Sequence, residues 1–369
     1  MDSALGQIVE QVRAAAADGT PLAVRGGGSK AFYGEPVAGQ PLDTRALAGI
    51  TSYEPSELVV TVRAGTALAE LEAALAERGQ CLPFEPPHFG GGATVGGMVA
   101  AGLSGPARAS VGSVRDYILG LTLLNGRAEL LTFGGQVMKN VAGYDIARLM
   151  AGALGTLGLV VEVSLKVLPL APAEATLRFA PIGQAEALQQ LHAWGGLPLP
   201  LNASCWVEDA GVGTLYLRLR GARAAVEAAC ARMLAGRPGE RADTAASAAD
   251  WALARDLALP WHAQRAGRDL WRLSVPPTAP VLDLPAPPLV EWHGGQRWLH
   301  AGRGAGAHLR RVAAEAGGHA TLFVAGDDAA AAPARFAPLA PPLARIHRAL
   351  KAEFDPARIF NRGRLGPDL

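Results

Sequence analysis

Glycine density constrains this chain more than any other feature. Residues 90–97 read Gly90-Gly91-Gly92-Ala93-Thr94-Val95-Gly96-Gly97, and Gly155-Thr156-Leu157-Gly158 follows about sixty residues on. Between and around them lie apolar runs of strand length. Glycines set this closely among strands mark places where backbone approaches something closely, because a Cβ would block the contact. A second run, Arg25-Gly26-Gly27-Gly28-Ser29, directly follows the short apolar strand Leu22-Ala23-Val24. Successive N–H groups with a cation at the mouth make a nest for phosphate oxygens. The spacing is not that of a P-loop, since Lys30 follows Ser29 instead of preceding it. Plain tight turns are the competing reading.

Composition bounds the class. The chain has 369 residues, half of them apolar, which is enough for two domains with their own cores. With 34 basic and 33 acidic residues the net charge is +1, which leaves no electrostatic footprint for nucleic acid. No apolar run is long enough for a membrane span, and Met1-Asp2-Ser3-Ala4 opens no signal peptide, so a cytoplasmic location is expected. Cys81, Cys205 and Cys230 are too few and too scattered for an iron–sulfur cluster, which needs four ligands. The histidines show no metal-ligand spacing.

The expected fold class is α+β, with two lobes at about 1–82 and 85–170 and a smaller antiparallel-sheet domain over 173–342. A helix and tail over 343–369 return to the first domain. Val114 to Phe133 reads as two strands turning at Asn125-Gly126. Ala325 to Pro342, nearly all Ala and Pro, reads as a flexible excursion. Gly302-Arg303-Gly304-Ala305-Gly306-Ala307 matches a dinucleotide fingerprint in letters only, because no acidic residue ends a strand about twenty residues later.

Four segments in order carry a family resemblance: R-G-G-G-S after a strand, Y-x-P-x-E-L-V-V-T-V-x-A-G from Tyr53, G-A-T-V-G-G-M-V-A from Gly92, and G-T-L-G-L-V-V-E from Gly155. Together they resemble the FAD-binding domain of the vanillyl-alcohol oxidase / p-cresol methylhydroxylase (PCMH-type) family. Gly134 to Asp145, Ser104 to Arg108 and the closing Phe354 to Leu365 resemble, more narrowly, the small E-type FAD-binding subunits of bacterial glycolate oxidases. Arg362 stands where that closing motif has proline.

The resemblance implies an FAD site with Arg25, Gly26, Gly27, Gly28 and Ser29 cradling the pyrophosphate. It implies Gly91, Ala93, Thr94, Val95, Gly96 and Gly97 as a second diphosphate-side loop, and Ser104, Gly105 and Arg108 near the flavin. Gly155, Val160 and Val161 would offer backbone groups, and Lys139, Asp145 and Asn361 polar ones. Some relatives attach FAD through a histidine at the fifth loop position; Ser29 there implies non-covalent FAD. The implied activity is that of a 2-hydroxy acid oxidoreductase, oxidising glycolate to glyoxylate together with a larger flavin subunit and an iron–sulfur subunit, with any association with the inner face of the membrane made through that complex.

Substrate chemistry needs a base for the hydroxyl proton. His88, in Pro86-Pro87-His88-Phe89, and His293, in Trp292-His293-Gly294-Gly295, are the weak candidates; each reads more readily as a surface or packing residue. A self-sufficient FAD-dependent dehydrogenase of hydroxy acids or polyols, and a non-catalytic assembly subunit, remain alternatives. Trp251, Trp261 and Trp271 could mark a partner surface or simply the core.

Overall fold

The computed structural model describes residues 3–135, 144–209, 211–327, 332–367 and 369. They form two compact units. The first comprises Met1–Leu103, Ser113–Leu170 and Pro338–Leu369; the second comprises Ser104–Gly112 and Ala171–Ala337.

In the first unit, helix Ser3–Asp18 buries Ile8, Val12 and Ala15, a one-face spacing. They pack with Leu22, Leu42, Leu124, Leu159, Val161, Ile359 and Phe360. Strand Leu22–Arg25 pairs in parallel with Gln40–Asp43. A five-stranded antiparallel sheet runs in the order Ile50–Glu54, Val59–Arg63, Leu159–Lys166, Ile118–Leu124, Leu130–Gly134. Helices Leu68–Ala76 and Val95–Ala101 bury Leu68, Leu71, Leu75, Met98 and Val99 in a core with Val163 and Leu165 of this sheet. Helix Pro341–Phe354 brings the C-terminal segment back to this unit, where the strand edge at Leu22 bridges Phe360.

Two local expectations change. Val114–Tyr117 is a helical turn, not a strand, because Ser113 and Asp116 close a capping box over it. The Asn125-Gly126 pair does not make a two-residue hairpin. The loop runs to Leu130, Asn125 Oδ1 accepts the N–H groups of Arg127 and Glu129, and the left-handed residue is Ala128. Gly126 is required by packing instead: a Cβ there would lie 2.5 Å from Asp355 Oδ1.

The second unit is built on an antiparallel sheet, but it is wider than expected, with eight strands. Their order is Glu240–Arg241, Ala173–Phe179, Val212–Gly221, Leu201–Asp209, Leu289–Glu291, Gln296–Ala301, Asp269–Ser274, His319–Val324. The last four lie where glycine, proline and alanine obscure the strand pattern. Helices Gln184–Gly195 and Arg223–Gly236 cover one end through Leu188, Leu191, Val226 and Met233. Helix Gly306–Glu315 covers the other, and Gly306 sits so close to Trp271 that a Cβ would lie 2.9 Å from the indole. Of the fingerprint-like glycines, Gly306 is thus a helix-packing residue, while Gly302 and the left-handed Gly304 lie in the turn before the helix with open space around them. Trp251 and Trp271 are buried. No helix among the described residues is long and apolar enough to cross a membrane.

Candidate functional site

The first glycine run stands at the open end of strand Leu22–Arg25. Gly26 and Gly27 lie against the second run with no space for side chains. A Cβ on Gly26 would strike the Thr94 hydroxyl, and one on Gly27 would overlap the Gly92 carbonyl. Gly28 is left-handed at φ 75° and carries the Arg25 guanidinium over it. The cleft beside these loops holds about 410 Å³ and is lined by Arg25 to Lys30, Thr94, Gly96, Gly97, Leu154, Gly155, Val160, Asn361 and others.

The two loops divide the labour differently from the sequence expectation. In the second loop the three donors at its helical end are spent. Val95 N–H goes to Thr66 O (3.0 Å), Gly96 N–H to Ala64 O (2.7 Å) and Gly97 N–H to Thr94 Oγ1 (3.2 Å). In the first loop, among the described residues, the N–H groups of Gly26, Gly27, Gly28 and Ser29 donate to nothing in the chain. Four consecutive unspent donors facing a cleft suit an anion whose oxygens replace water. All four of these residues line the cleft, whereas of the second loop only Thr94, Gly96 and Gly97 do, so the first loop is the cradle and the second chiefly the wall it leans on. Ala93 and Val95 point into the core, and Gly91 stands exposed with open space around its Cα.

Asn361 fixes the cradle. Its Oδ1 accepts Val24 N–H (2.8 Å), and its Nδ2 donates to Leu154 O (2.7 Å). One side-chain amide thereby ties the strand before the first loop to the turn at Gly155, where a Cβ would crowd Nδ2 at 2.8 Å. Behind it lies a buried ion pair: Lys351 (2% exposed) donates to Asp355 Oδ2 (2.7 Å), Thr156 O (2.7 Å) and Phe360 O (2.9 Å). Asp355 (0%) also accepts the N–H groups of Ile359 and Phe360. Burial pushes the Lys351 ammonium below its usual pKa, against the pull of Asp355. Arg364 donates to Glu35 O, Lys30 O and Ala31 O, holding the segment after the cradle.

Lys30 and Arg364 were not singled out from the sequence, yet both line the cleft. Lys30 Nζ lies 3.3 Å from Ser29 Oγ and 3.5 Å from His88 O, and 5.5 Å from the Phe89 ring centre. A cation one residue beyond G-G-G-S, and the arginine of the closing motif, were the available signals.

Other expected members fall elsewhere. Val160 lines the cleft, but Val161, one residue on, turns into the core and its carbonyl accepts Ala64 N–H. Asp145 is an exposed N-cap, accepting Arg148 N–H (3.0 Å) and pairing with its guanidinium. Lys139 lies outside the described residues. Ser104, Gly105 and Arg108 belong to the second unit. There Trp292 Nε1 donates to Gly105 O (3.1 Å) and the Arg108 guanidinium covers the Trp292 ring at 4.6 Å.

Of the two base candidates, His88 bonds Glu72 at 2.8 Å and does not line the cleft. His293, in the second unit, is held at both nitrogens: Nδ1 lies 3.1 Å from Ser204 Oγ and Nε2 2.9 Å from Ser110 Oγ. It is left-handed (φ 54°), as is Trp292 before it (φ 53°), a conformation that bulky residues adopt only where packing enforces it. Burial lowers its pKa to about 4, so the imidazole is neutral at physiological pH. The thiols of Cys205 and Cys230 are buried and pushed up in pKa, which suits inert packing residues.

A glycine cradle on a parallel strand, closed by a returning C-terminal segment and joined to an antiparallel unit, defines an FAD-dependent oxidoreductase of the PCMH-type architecture. The FAD binding domain family matches residues 4–134. The chain belongs to the family of the glycolate oxidase subunit GlcE of Escherichia coli (strain K12), with which it is 46% identical over 98% of this chain and 97% of that one. Glycolate oxidase subunit GlcD of Bacillus subtilis (strain 168) is 31% identical over 35% of this chain, and D-lactate dehydrogenase of Anaerostipes hadrus 34% identical over 32%. The matches cover 27% and 25% of those two proteins. Among solved structures, an alkyldihydroxyacetonephosphate synthase superposes on 96% of this chain and 74% of its own, with a TM-score of 0.68 at 16% identity. That likeness is one of fold.

Proposed function

We propose that the chain is the FAD-binding subunit of a glycolate oxidoreductase complex, oxidising glycolate to glyoxylate together with a second flavin subunit and an iron–sulfur subunit. The observation that carries the reading is the pairing of full-length similarity to a glycolate oxidase subunit with an intact anion cradle of four unspent N–H groups. Its three cysteines fall short of four cluster ligands, so electrons must leave to another chain or to a soluble acceptor.

The chain's residues fit FAD. The cradle binds the pyrophosphate through the N–H groups of Gly26 to Ser29, with Arg25 and Lys30 supplying positive charge at its mouth. Gly26 and Gly27 let the loop approach because neither has a side chain to intrude. Apolar Val160, Leu154 and Ala153 exclude water from the cleft wall. Bound FAD supplies a two-electron acceptor for hydride removed from the carbinol carbon. No histidine, cysteine or tyrosine among the described residues lines the cleft, and Ser29 holds the loop's fifth place, which supports non-covalent binding.

The test is the absorption spectrum of the purified chain before and after acid precipitation, followed by assay with glycolate and a dye, with and without the partner subunits. Flavin released to the supernatant, and reduction by glycolate only in the assembled complex, are expected. Reduction by the lone chain would instead make it self-sufficient. A colourless chain that cannot be reconstituted with FAD would sink the reading.

A further inference from the structure

Helix Pro341–Phe354 carries one apolar stripe from end to end, and the first unit covers only half of it. Leu350 and Phe354 pack into the core. One and two turns earlier on the same face, Ile346 is 52% exposed and Leu343 50%, and Leu339, just before the helix, is 40% exposed. The spacing 343, 346, 350, 354 is that of a single helix face. Arg345, His347 and Arg348 flank the exposed half, and no acidic residue lies between Asp328 and Glu353. Large apolar side chains scattered singly are ordinary on a surface; two on one helix face, continuous with a buried stripe, extended by Leu339 just before the helix and rimmed by cations, are not.

We propose that this half-helix is the docking face for another subunit of the oxidoreductase complex, and that the partner presents an apolar groove edged by carboxylates. The inference rests on the subunit reading above. Charge decides the occupant. A second copy of this chain would pair the face with itself about a two-fold axis and set Arg345 and Arg348 against their own counterparts, whereas a carboxylate-edged groove complements them. Three side chains are also a small anchor for a lipid surface, which a basic amphipathic helix addresses with its whole length; here the C-terminal half is already buried in the protein.

The test uses the full chain co-expressed with its partner subunits. In one variant Leu343→Asp and Ile346→Asp are combined; in the other, Arg345→Glu and Arg348→Glu. Both should keep the wild-type flavin content, since neither touches the cradle. Each should weaken co-purification of the complex by about tenfold or more, as truncation of interface anchors does, and the arginine variant should also flatten the salt dependence of assembly. Undiminished assembly of both variants would overturn the proposal. So would a wild-type homodimer abolished by the substitutions, or wild-type binding to phosphatidylglycerol vesicles that the variants lose. If the wild-type chain assembles with neither partner, the failure lies with the subunit reading, and the docking face falls with it.

Discussion

Replacing Gly27 with alanine tests the two-loop architecture directly. The new Cβ would overlap the carbonyl group of Gly92, with Gly92 Cα only 3.0 Å away. Both obstacles are backbone, so no rotamer change relieves them. Restoring ordinary contact requires the loops to part by about 2 Å. The strain costs about 1–3 kcal/mol of stability, the usual range for overpacking. The functional cost is larger, because a displaced loop no longer aims its donors together. Losing two charge-assisted hydrogen bonds at roughly 1.5–3 kcal/mol each weakens FAD binding by about two to four orders of magnitude. Gly91→Ala is the internal control, since nothing lies within 4 Å of its would-be Cβ. Flavin content after gel filtration, FAD titration by fluorescence and thermal unfolding give the readouts. A Gly27→Ala chain that keeps wild-type flavin affinity, or a Gly91→Ala chain that loses as much, would refute the division into cradle and wall.

Other perturbations have equally definite outcomes. Asn361→Ala leaves Val24 N–H and Leu154 C=O without partners and should cost about 2–4 kcal/mol by denaturant titration, with weaker FAD binding. Lys351→Met strands the Asp355 carboxylate in the interior and should cost about 3–5 kcal/mol, as one-sided removal of a buried pair does. In the second unit, burial lowers the pKa of His262 from 6.5 to about 3, with a further push from His300, and that of His293 to about 4. Unfolding lets both take up protons, so their contribution is complete above pH 6.5 and drains away as pH falls towards 4 and 3. Between pH 6.5 and 5 each should remove roughly 2 kcal/mol, and His262→Leu should flatten the urea midpoint over that window by about that amount. An unchanged pH dependence would contradict the buried, neutral imidazole.

Local chemistry made much of this protein legible. R-G-G-G-S after an apolar strand can hardly be anything but a tight, donor-rich loop, because only glycine backbone accepts such an approach. The closing Phe354 to Leu365 motif pointed to a tail that returns, and Asn361, Asp355 and Arg364 are the residues that fasten it. Strand Leu159–Lys166 and helix Gln184–Gly195 each carry a strong apolar period, legible in the sequence although their far ends are not. Alanine, glycine and proline blur that period across the last strands of the eight-stranded sheet.

What the tertiary structure alone decided is which groups remain available. Both glycine runs look alike as strings, yet the second spends the N–H groups of Val95, Gly96 and Gly97 on Thr66, Ala64 and Thr94, while Gly26 to Ser29 of the first spend none. Val160 and Val161 are identical in letter, and the alternation of the strand sends one to the cleft and the other to the core. Ser104 to Arg108 sit in sequence beside the second loop, yet Trp292, nearly two hundred residues away, claims them for the other unit. A sequence specifies donors, acceptors and turns locally; whether a donor is free is settled by partners that arrive from the far end of the chain, as the amide of Asn361 does at Val24.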